Sequence, residues 1–254
     1  MRRAVRAEWL KTWSDPGTPW LLGALLAASA AVSAVTIAAS RCPAAGCGQD
    51  PARISLAGVY LAQAVAALAG VAAIGGEYGT GMIRVSLAAV PRRTRLLAAK
   101  ALVLAGPVLA ASAAAAGAST AAGLLVLPGR GFTPGHGFDL LSGGMWRAAG
   151  CAALYLTLVA LLGLGVTAAV RDPAAAAGTV LGLLYLFPVA AGLAGPALQR
   201  RLEQAGPMTA GLDSLATAGQ GGLPLTPWQG LGVAALWAAA ALLGGGAVLR
   251  WRDA

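Results

Sequence analysis

Charged and titratable side chains are scarce in this sequence. Only 11% of its 254 residues are charged, histidine occurs once and cysteine three times, whereas 58% of the residues are hydrophobic. A water-soluble domain of this length does not need so much apolar material to fill its core. The composition therefore excludes a soluble globular fold and indicates that the lipid bilayer is the solvent of this chain.

The lack of histidine also limits the chemistry. His136, the only histidine, lies in a glycine-rich stretch, where an isolated histidine is usually just solvated. No serine, histidine and aspartate set can be assembled on one predicted surface. Lys11 and Lys100 do not complete the Gly-Lys-Ser/Thr motif of a phosphate-binding loop. We expect no catalytic site, no metal site and no bound cofactor in this chain.

Long apolar runs occupy most of the sequence. An apolar helix of about 20 residues crosses the hydrocarbon, and only short polar connections separate such runs here. The sequence predicts an all-α membrane protein with six transmembrane helices in residues 20–254, preceded by a cytoplasmic helix in residues 1–19. The predicted spans are about 20–40, 54–74, 98–127, 148–170, 174–196 and 228–249.

Two features of the spans are visible in the sequence. The third is too long for one perpendicular crossing, and Gly106 and Pro107 give it a place to bend or break. Residues 171–173, Arg-Asp-Pro, predict a tight turn with proline opening the fifth helix. Leu residues among polar residues at 197–227 predict short helices on the outer side.

Basic residues indicate the orientation. The net charge of +9 would suggest nucleic-acid binding in a soluble protein, but here the basic residues lie at span ends, so we expect no nucleic-acid partner. Counted on alternate sides, twelve Lys and Arg face one side and six face the other. Because the cytoplasmic side carries the excess, both termini are expected in the cytoplasm.

Acidic residues are absent from the middle of every predicted span. A proton- or sodium-coupled carrier usually places an ionisable residue there as its coupling site. The pattern therefore argues against secondary transport, although a carrier with sodium sites built from carbonyl groups remains an alternative.

The N-terminal segment has two alternative interpretations. Val5, Trp9 and Trp13 are spaced four apart, with charged residues elsewhere, which favours an amphipathic helix on the cytoplasmic membrane surface. The alternative is a disordered basic leader that only fixes the topology. We favour the interfacial helix, with Trp9 and Trp13 on its membrane side.

Cys42 and Cys47 share the first outer loop, with Pro43 and Gly46 between them. A disulfide between them is geometrically reasonable outside the cell. The alternative is two free thiols. Cys151, in the fourth span, is expected to be an apolar packing residue.

The connection between the second and third spans has its own pattern. It comprises a polar, bendable start at residues 77–81, a potential short helix at 83–90, Pro91, and an arginine cluster at 92–95. Such a cluster most commonly just fixes topology. Charge alone does not account for the acid, tyrosine and glycines at the start of the segment, so we expect this connection to contact a soluble partner.

Three motifs give the chain a resemblance to a known family. They are Ala-Glu-Trp-Leu-Lys (7–11), Glu-Tyr-Gly-Thr-Gly-Met-Ile-Arg (77–84) continuing to Pro-Arg-Arg (91–93) and Lys100, and Arg-Trp-Arg-Asp-Ala (250–254). In order and spacing they resemble the type-2 family of ABC transporter permeases, particularly its compact six-span actinobacterial subunits.

The resemblance implies a permease subunit of an ATP-driven exporter in the bacterial plasma membrane. It implies pairing with a second copy or a related permease, and with two cytoplasmic ATPase subunits that bind ATP and Mg²⁺. The cargo would be an amphipathic or hydrophobic antibiotic, peptide or lipid. The resemblance assigns the ATPase-coupling element to Glu77, Tyr78, Gly81, Arg84, Pro91, Arg92 and Arg93. An ATP-independent carrier and a membrane-bound immunity or scaffold protein remain alternatives.

Overall fold

The structure, a computed structural model, describes residues 2–42, 49–82, 93–132, 143–193, 195–217 and 225–251. Its regular elements in these ranges are all helical. In chain order the helices are α1 (Arg2–Ser14), α2 (Gly17–Ala39), α3 (Pro51–Ser55), α4 (Val59–Gly79), α5 (Arg93–Val126), α6 (Gly144–Val170), α7 (Pro173–Gly192), α8 (Pro196–Ala205), α9 (Pro207–Asp213) and α10 (Pro227–Trp251).

Six of these helices, α2, α4, α5, α6, α7 and α10, are long and apolar enough to cross a membrane. The predicted six-span, all-helical membrane fold is confirmed at this level. The short helices α8 and α9 follow the fifth span, as the leucine pattern predicts.

The second span differs from its prediction of 54–74, because α4 begins at Val59 and continues to Gly79. Glu77 and Tyr78 therefore lie in the last turn of a membrane helix, not in the connection after it. Gly75 lies within this helix and packs closely against α7. A Cβ atom at Gly75 would lie 2.9 Å from the Pro173 Cβ.

The third span is uninterrupted. Helix α5 continues through Pro107 over 34 residues, a length of about 51 Å at 1.5 Å per residue. Since the hydrocarbon core is about 30 Å thick, a helix of this length extends past it. The fifth span, α7, contains a π-helical turn at Gly182–Leu186 and ends at Gly192.

The turn between the fourth and fifth spans is as the sequence predicts. Arg171 follows α6 in a left-handed conformation, with φ 67°. Asp172 caps α7 by accepting a hydrogen bond of 2.6 Å from the Ala175 amide, and Pro173 is the first residue of that helix. The two helices form a hairpin.

Helix α6 lies at the centre of the bundle, with 67% of its apolar stretch buried. Glycines let its neighbours approach closely. A Cβ at Gly163 would lie 2.4 Å from the Ala67 oxygen on α4, and one at Gly245 of α10 would lie 2.6 Å from the Gly165 oxygen. These crossings place α4 and α10 directly against α6.

The bundle has two distinct ends. At one, which we call the α1 end, α1 contacts the last turn of α4 and the first turns of α5. At the other, the α9 end, α3 contacts α9 through the ion pair of Arg53 with Asp213. The predicted coupling residues that the structure describes all lie at the α1 end.

Candidate functional site

Four charged side chains from three helices meet at the α1 end. Glu8 and Lys11 come from α1, Glu77 from α4 and Lys100 from α5. We call them the charge cluster. Lys11 and Lys100 are the only two lysines in the sequence, and the cluster takes two of its three glutamates. The cluster therefore contains both lysines and most of the glutamates of the chain.

Lys100 is the centre of the cluster. Its Nζ donates to Glu77 Oε1 at 2.5 Å and to Glu8 Oε2 at 2.8 Å. A third bond, of 3.3 Å, goes to the backbone oxygen of Ala73. Lys11 Nζ also donates to Glu77 Oε1. The network therefore ties α1 to α4 and α5 through charged hydrogen bonds.

Three of the four side chains in the charge cluster are largely buried, which raises the cost of removing any one of them. The side chains of Lys100 and Glu77 are 3% and 5% exposed, and that of Glu8 is 11% exposed. Lys11, at 39%, reaches solvent. Removing one member of a buried ion pair leaves an uncompensated charge and costs about 3–5 kcal/mol. The cluster should thus fix the position of α1 on the bundle.

One oxygen of the cluster, Glu77 Oε2, is buried and accepts no hydrogen bond from the described part of the chain. A buried carboxylate oxygen without a donor carries a desolvation penalty that the surroundings do not offset. A cavity of about 410 Å³ lies between α1, α2, α4 and α5, and Glu77 and Lys100 are among the residues that line it.

The other described coupling residues point away from the cluster. The Tyr78 hydroxyl lies 3.5 Å from the Ala168 oxygen at the end of α6. Arg93 Nη1 donates to the Leu249 oxygen, in the last turn of α10, at 2.6 Å. Gly81 has φ 71°, which favours glycine, just after α4. The predicted set is therefore spread over three contacts at the α1 end rather than gathered in one site.

Several predicted residues lie outside the described ranges. Arg84, Pro91 and Arg92, with the predicted short helix at 83–90, belong to this group. Cys47 lies outside as well, so the disulfide between Cys42 and Cys47 stays a prediction. Cys151 is a buried free cysteine within α6, as expected.

The predicted tryptophan pair is exposed. Trp9 and Trp13 are 45% and 49% exposed, and their ring centroids lie 5.7 Å apart at an angle of 57°. On the same helix Glu8 is buried in the cluster. The helix predicted for this segment is present, and its placement at a membrane surface stays a prediction.

The α9 end carries a second set of polar contacts. Arg53 Nη2 donates to Asp213 Oδ1 at 2.8 Å, and Asp50 accepts two bonds of 2.6 Å from Thr217. Burial raises the pKa of the Asp213 carboxyl above its usual value, and this effect outweighs the opposing charge and hydrogen bond of Arg53. These contacts connect the first loop to the segment before α10.

Glu8, Lys11 and Lys100 are the three members of the cluster that the sequence analysis did not assign to a site. Two signals for them were available. Glu8 and Lys11 are three residues apart, so on a helix they share a face. The sequence also offers no other lysine than Lys11 and Lys100 to neutralise a buried acid. Counting basic residues only as topology markers hides this pairing.

Neither metal chemistry nor an identified relative adds to the site. Among the described residues, no group of three or more His, Cys, Asp or Glu is placed to hold a metal ion. No protein-family model matches the sequence, and no curated protein does. The charge cluster and the cavity next to it are therefore the features from which a function must be argued.

Proposed function

We propose that this chain is the membrane-spanning permease subunit of an ATP-driven exporter in a bacterial plasma membrane. It would act with a second permease, identical or related, and with two separate cytoplasmic ATPase subunits that bind ATP and Mg²⁺. The sequence motif at residues 77–84 supports the family. One structural observation supports the mechanism: the charge cluster joins α1 to α4 and α5, the two helices that flank residues 83–92.

The proposed mechanism begins at that connection. Helix α4 ends at Gly79 and α5 begins at Arg93, so a push on the intervening segment acts on both helices. Because Lys100 also binds Glu8, α1 would move with them as one unit. Arg93 would pass the same movement to α10 through its bond to Leu249. The segment itself would carry the contact with the ATPase.

In this scheme Glu77 anchors the moving unit, because its side chain is 5% exposed and already bound by Lys100. Contact with the ATPase would fall to the residues after it, including Arg84, Arg92 and Arg93. The energy must come from differential affinity of the two ATPase conformations for this end of the permease. Alternating access would follow from movement at the seam between the two permeases.

Cargo and orientation belong to the same proposal. The excess of Lys and Arg supports a cytoplasmic α1 end and cytoplasmic termini. Six apolar helices with few charges support an amphipathic or hydrophobic cargo, of the antibiotic, peptide or lipid class.

A second candidate is an ion-coupled carrier, which the pair of Glu77 and Lys100 within membrane helices favours. The position of the pair favours the first proposal. Glu77 lies in the last turn of α4, and two lysines neutralise it, as expected of an anchoring ion pair.

The experiment is affinity purification of the tagged chain from its native membranes, followed by measurement of ATP hydrolysis. Arg84→Ala should lower the co-purified activity, because it removes a cation from the proposed ATPase contact. The matched control is Arg200→Ala, an exposed arginine on α8 at the α9 end, which should leave the activity unchanged. Equal activity in both variants would refute the assignment of the contact.

A further inference from the structure

We propose that the groove between α5 and α10 binds an anionic membrane phospholipid, with the phosphate on Arg250 and one acyl chain along the apolar floor. The groove lies at the α1 end, and none of the four residues of the charge cluster lines it. The inference goes beyond the proposed function, because lipid binding by this chain requires neither an ATPase nor transport.

The size and lining of the groove suit an acyl chain. Its volume of about 600 Å³ falls in the range of about 300–1,000 Å³ typical of small-molecule sites. Leu97 of α5 and Gly246 of α10 are buried and form part of its floor. A Cβ atom at Gly246 would lie 3.6 Å from Leu97 Cδ2, so the two helices meet beneath the groove and leave it open above.

The rim of the groove faces outward from the bundle. Leu102 of α5 and Leu243 of α10 line it, and they are 59% and 75% exposed. Apolar side chains that are so exposed on two membrane helices mark a surface in contact with lipid or another apolar partner. An acyl chain can therefore enter from the side without movement of either helix.

Arg250 and Trp251 line one end of the groove, with Thr94 opposite them on α5. Helix α10 has 25 residues, or about 37 Å at 1.5 Å per residue, whereas the hydrocarbon core is about 30 Å thick. With Trp228 and Trp251 near its two ends, the helix reaches the headgroup level, where tryptophan is enriched. Leu242, which also lines the groove, lies about 14 Å from Trp251 along the helix. The groove thus runs from the headgroups into the hydrocarbon.

The guanidinium of Arg250 indicates which headgroup the site takes. Arg250 is exposed and makes no hydrogen bond or ion pair with another described residue. A guanidinium offers two parallel N–H donors that match two oxygens of a phosphate. Basic pockets between membrane helices bind anionic headgroups. An anionic lipid suits Arg250 better than a zwitterionic lipid, which brings a second cation to the same place.

A phospholipid uses both parts of the groove. Its phosphate reaches Arg250 while its chain covers the exposed leucines of the rim. A soluble phosphate would use Arg250 alone and leave the apolar part uncovered. The combination therefore favours a lipid over a free phosphate.

Trp251 provides the measurement, because it lines the groove and is 85% exposed. Bromine atoms on a lipid chain quench the fluorescence of a tryptophan that they contact. The full chain is placed in nanodiscs that contain brominated phosphatidylglycerol in unlabelled phosphatidylcholine, and then in the reverse mixture. The difference between the wild-type chain and Trp251→Phe isolates the signal of Trp251 from that of the other tryptophans.

Phosphatidylglycerol should occupy the site about fivefold more tightly than phosphatidylcholine, the effect of one basic residue at a membrane surface. Equal affinities of the two lipids would overturn the proposal. Absence of quenching by either lipid would overturn it as well, because protein and not lipid would then cover the groove.

Two arginines provide a matched pair of variants. Arg250→Gln should reduce the preference for phosphatidylglycerol from about fivefold to about one, since it removes the phosphate ligand. Arg6→Gln is the control, because Arg6 is exposed on α1 at the same end of the bundle and does not line the groove. Equal reductions in the two variants would show attraction to a basic surface without a defined site, and would refute the proposal.

Two alanines on α10 test the apolar part. Ala247 lines the groove, whereas Ala240, one heptad earlier, is exposed and does not line it. Ala247→Leu should fill the groove and bring the preference for phosphatidylglycerol close to one, because the phosphate reaches Arg250 only when the chain lies in the groove. Ala240→Leu should keep the fivefold preference. The same preference in both variants would contradict seating of the chain.

The last arm separates a lipid from a free phosphate. Glycerol phosphate added to the solution should leave the quenching by brominated phosphatidylglycerol unchanged. Loss of quenching would show that the soluble phosphate displaces the lipid, and would refute the assignment of the groove to a phospholipid.

Discussion

Lys100 on α5 and Glu77 on α4 form an ion pair inside the bundle, with Nζ 2.5 Å from Oε1 and both side chains at most 5% exposed. Glu8 of α1 binds the same Nζ at 2.8 Å. A helix that could otherwise lie anywhere on the surface is thereby fixed to two membrane helices. The contacts join three helices from distant parts of the sequence at the α1 end.

Lys100→Met should destabilise the protein strongly. It leaves Glu8 and Glu77 buried without their main counter-ion, which costs about 3–5 kcal/mol. Lys11→Met is the matched control, because Lys11 is 39% exposed and exposed pairs contribute at most about 1 kcal/mol. Thermal unfolding in detergent measures both. Equal losses in the two variants would contradict the central role of Lys100.

Asp213 should make stability fall as pH rises. Its pKa is raised in the folded protein because burial disfavours the charge, so the folded chain keeps the proton to a higher pH than the unfolded chain. At low pH the carboxyl is protonated in both the folded and the unfolded state, so it does not change the free energy of unfolding. That free energy falls as pH rises from the pKa of the unfolded state, about 3.9, through the pKa of the folded state.

The measurement is the melting temperature of the wild-type chain relative to Asp213→Asn across that acidic range. The melting temperature of the wild-type chain should fall relative to that of Asp213→Asn as pH increases, because the amide does not ionise. A constant difference would show that Arg53, which lies 2.8 Å away, offsets the burial fully.

Gly163→Ala should impair folding, whereas Gly178→Ala should be tolerated. A Cβ at Gly163 would lie 2.4 Å from the Ala67 oxygen, and one at Gly178 meets no atom within 4 Å. Overpacking of this kind costs about 1–3 kcal/mol. The yield of monodisperse protein and its melting temperature provide the comparison. Similar values for both variants would mean that α4 and α6 do not cross at this point.

Reporter fusions should place both termini in the cytoplasm. The reporter is a phosphatase that is active only on the extracytoplasmic side of the membrane. It should be inactive when fused after residue 254 and active when inserted at 218–224. The reason is the excess of Lys and Arg at the α1 end. The reverse pattern of activity would invert the proposed topology and remove the ATPase contact.

Hydropathy was sufficient to predict the six membrane helices, because a run of about 20 apolar residues has the length and composition of a membrane-spanning helix. The turn at Asp172 and Pro173 was equally predictable, since its cap and proline act locally. The boundaries of the helices were less predictable. Helix α4 ends at Gly79 instead of the predicted 74, and near this end Gly75 packs against Pro173, a contact between distant parts of the sequence.

The charge cluster could be predicted only in part: the spacing of Glu8 and Lys11 is visible in the sequence, but the contact with Lys100 is not. Glu8 and Lys100 are 92 residues apart in sequence, and only the fold brings them together. The contacts of the glycines could not be predicted either. Among the described residues, a Cβ atom at Gly178 would meet no atom within 4 Å, whereas one at Gly163 would meet the Ala67 oxygen of α4. Where glycine is so abundant, spacing alone does not show which residues meet a neighbour.

The most direct test of the proposed function is transport by vesicles that contain the purified chain with its co-purifying subunits. ATP supplied on the side of the α1 end should drive movement of an amphipathic fluorescent dye across the membrane, and Arg84→Ala should reduce it while Arg200→Ala does not. Movement that needs only an ion gradient and proceeds without ATP would contradict the account.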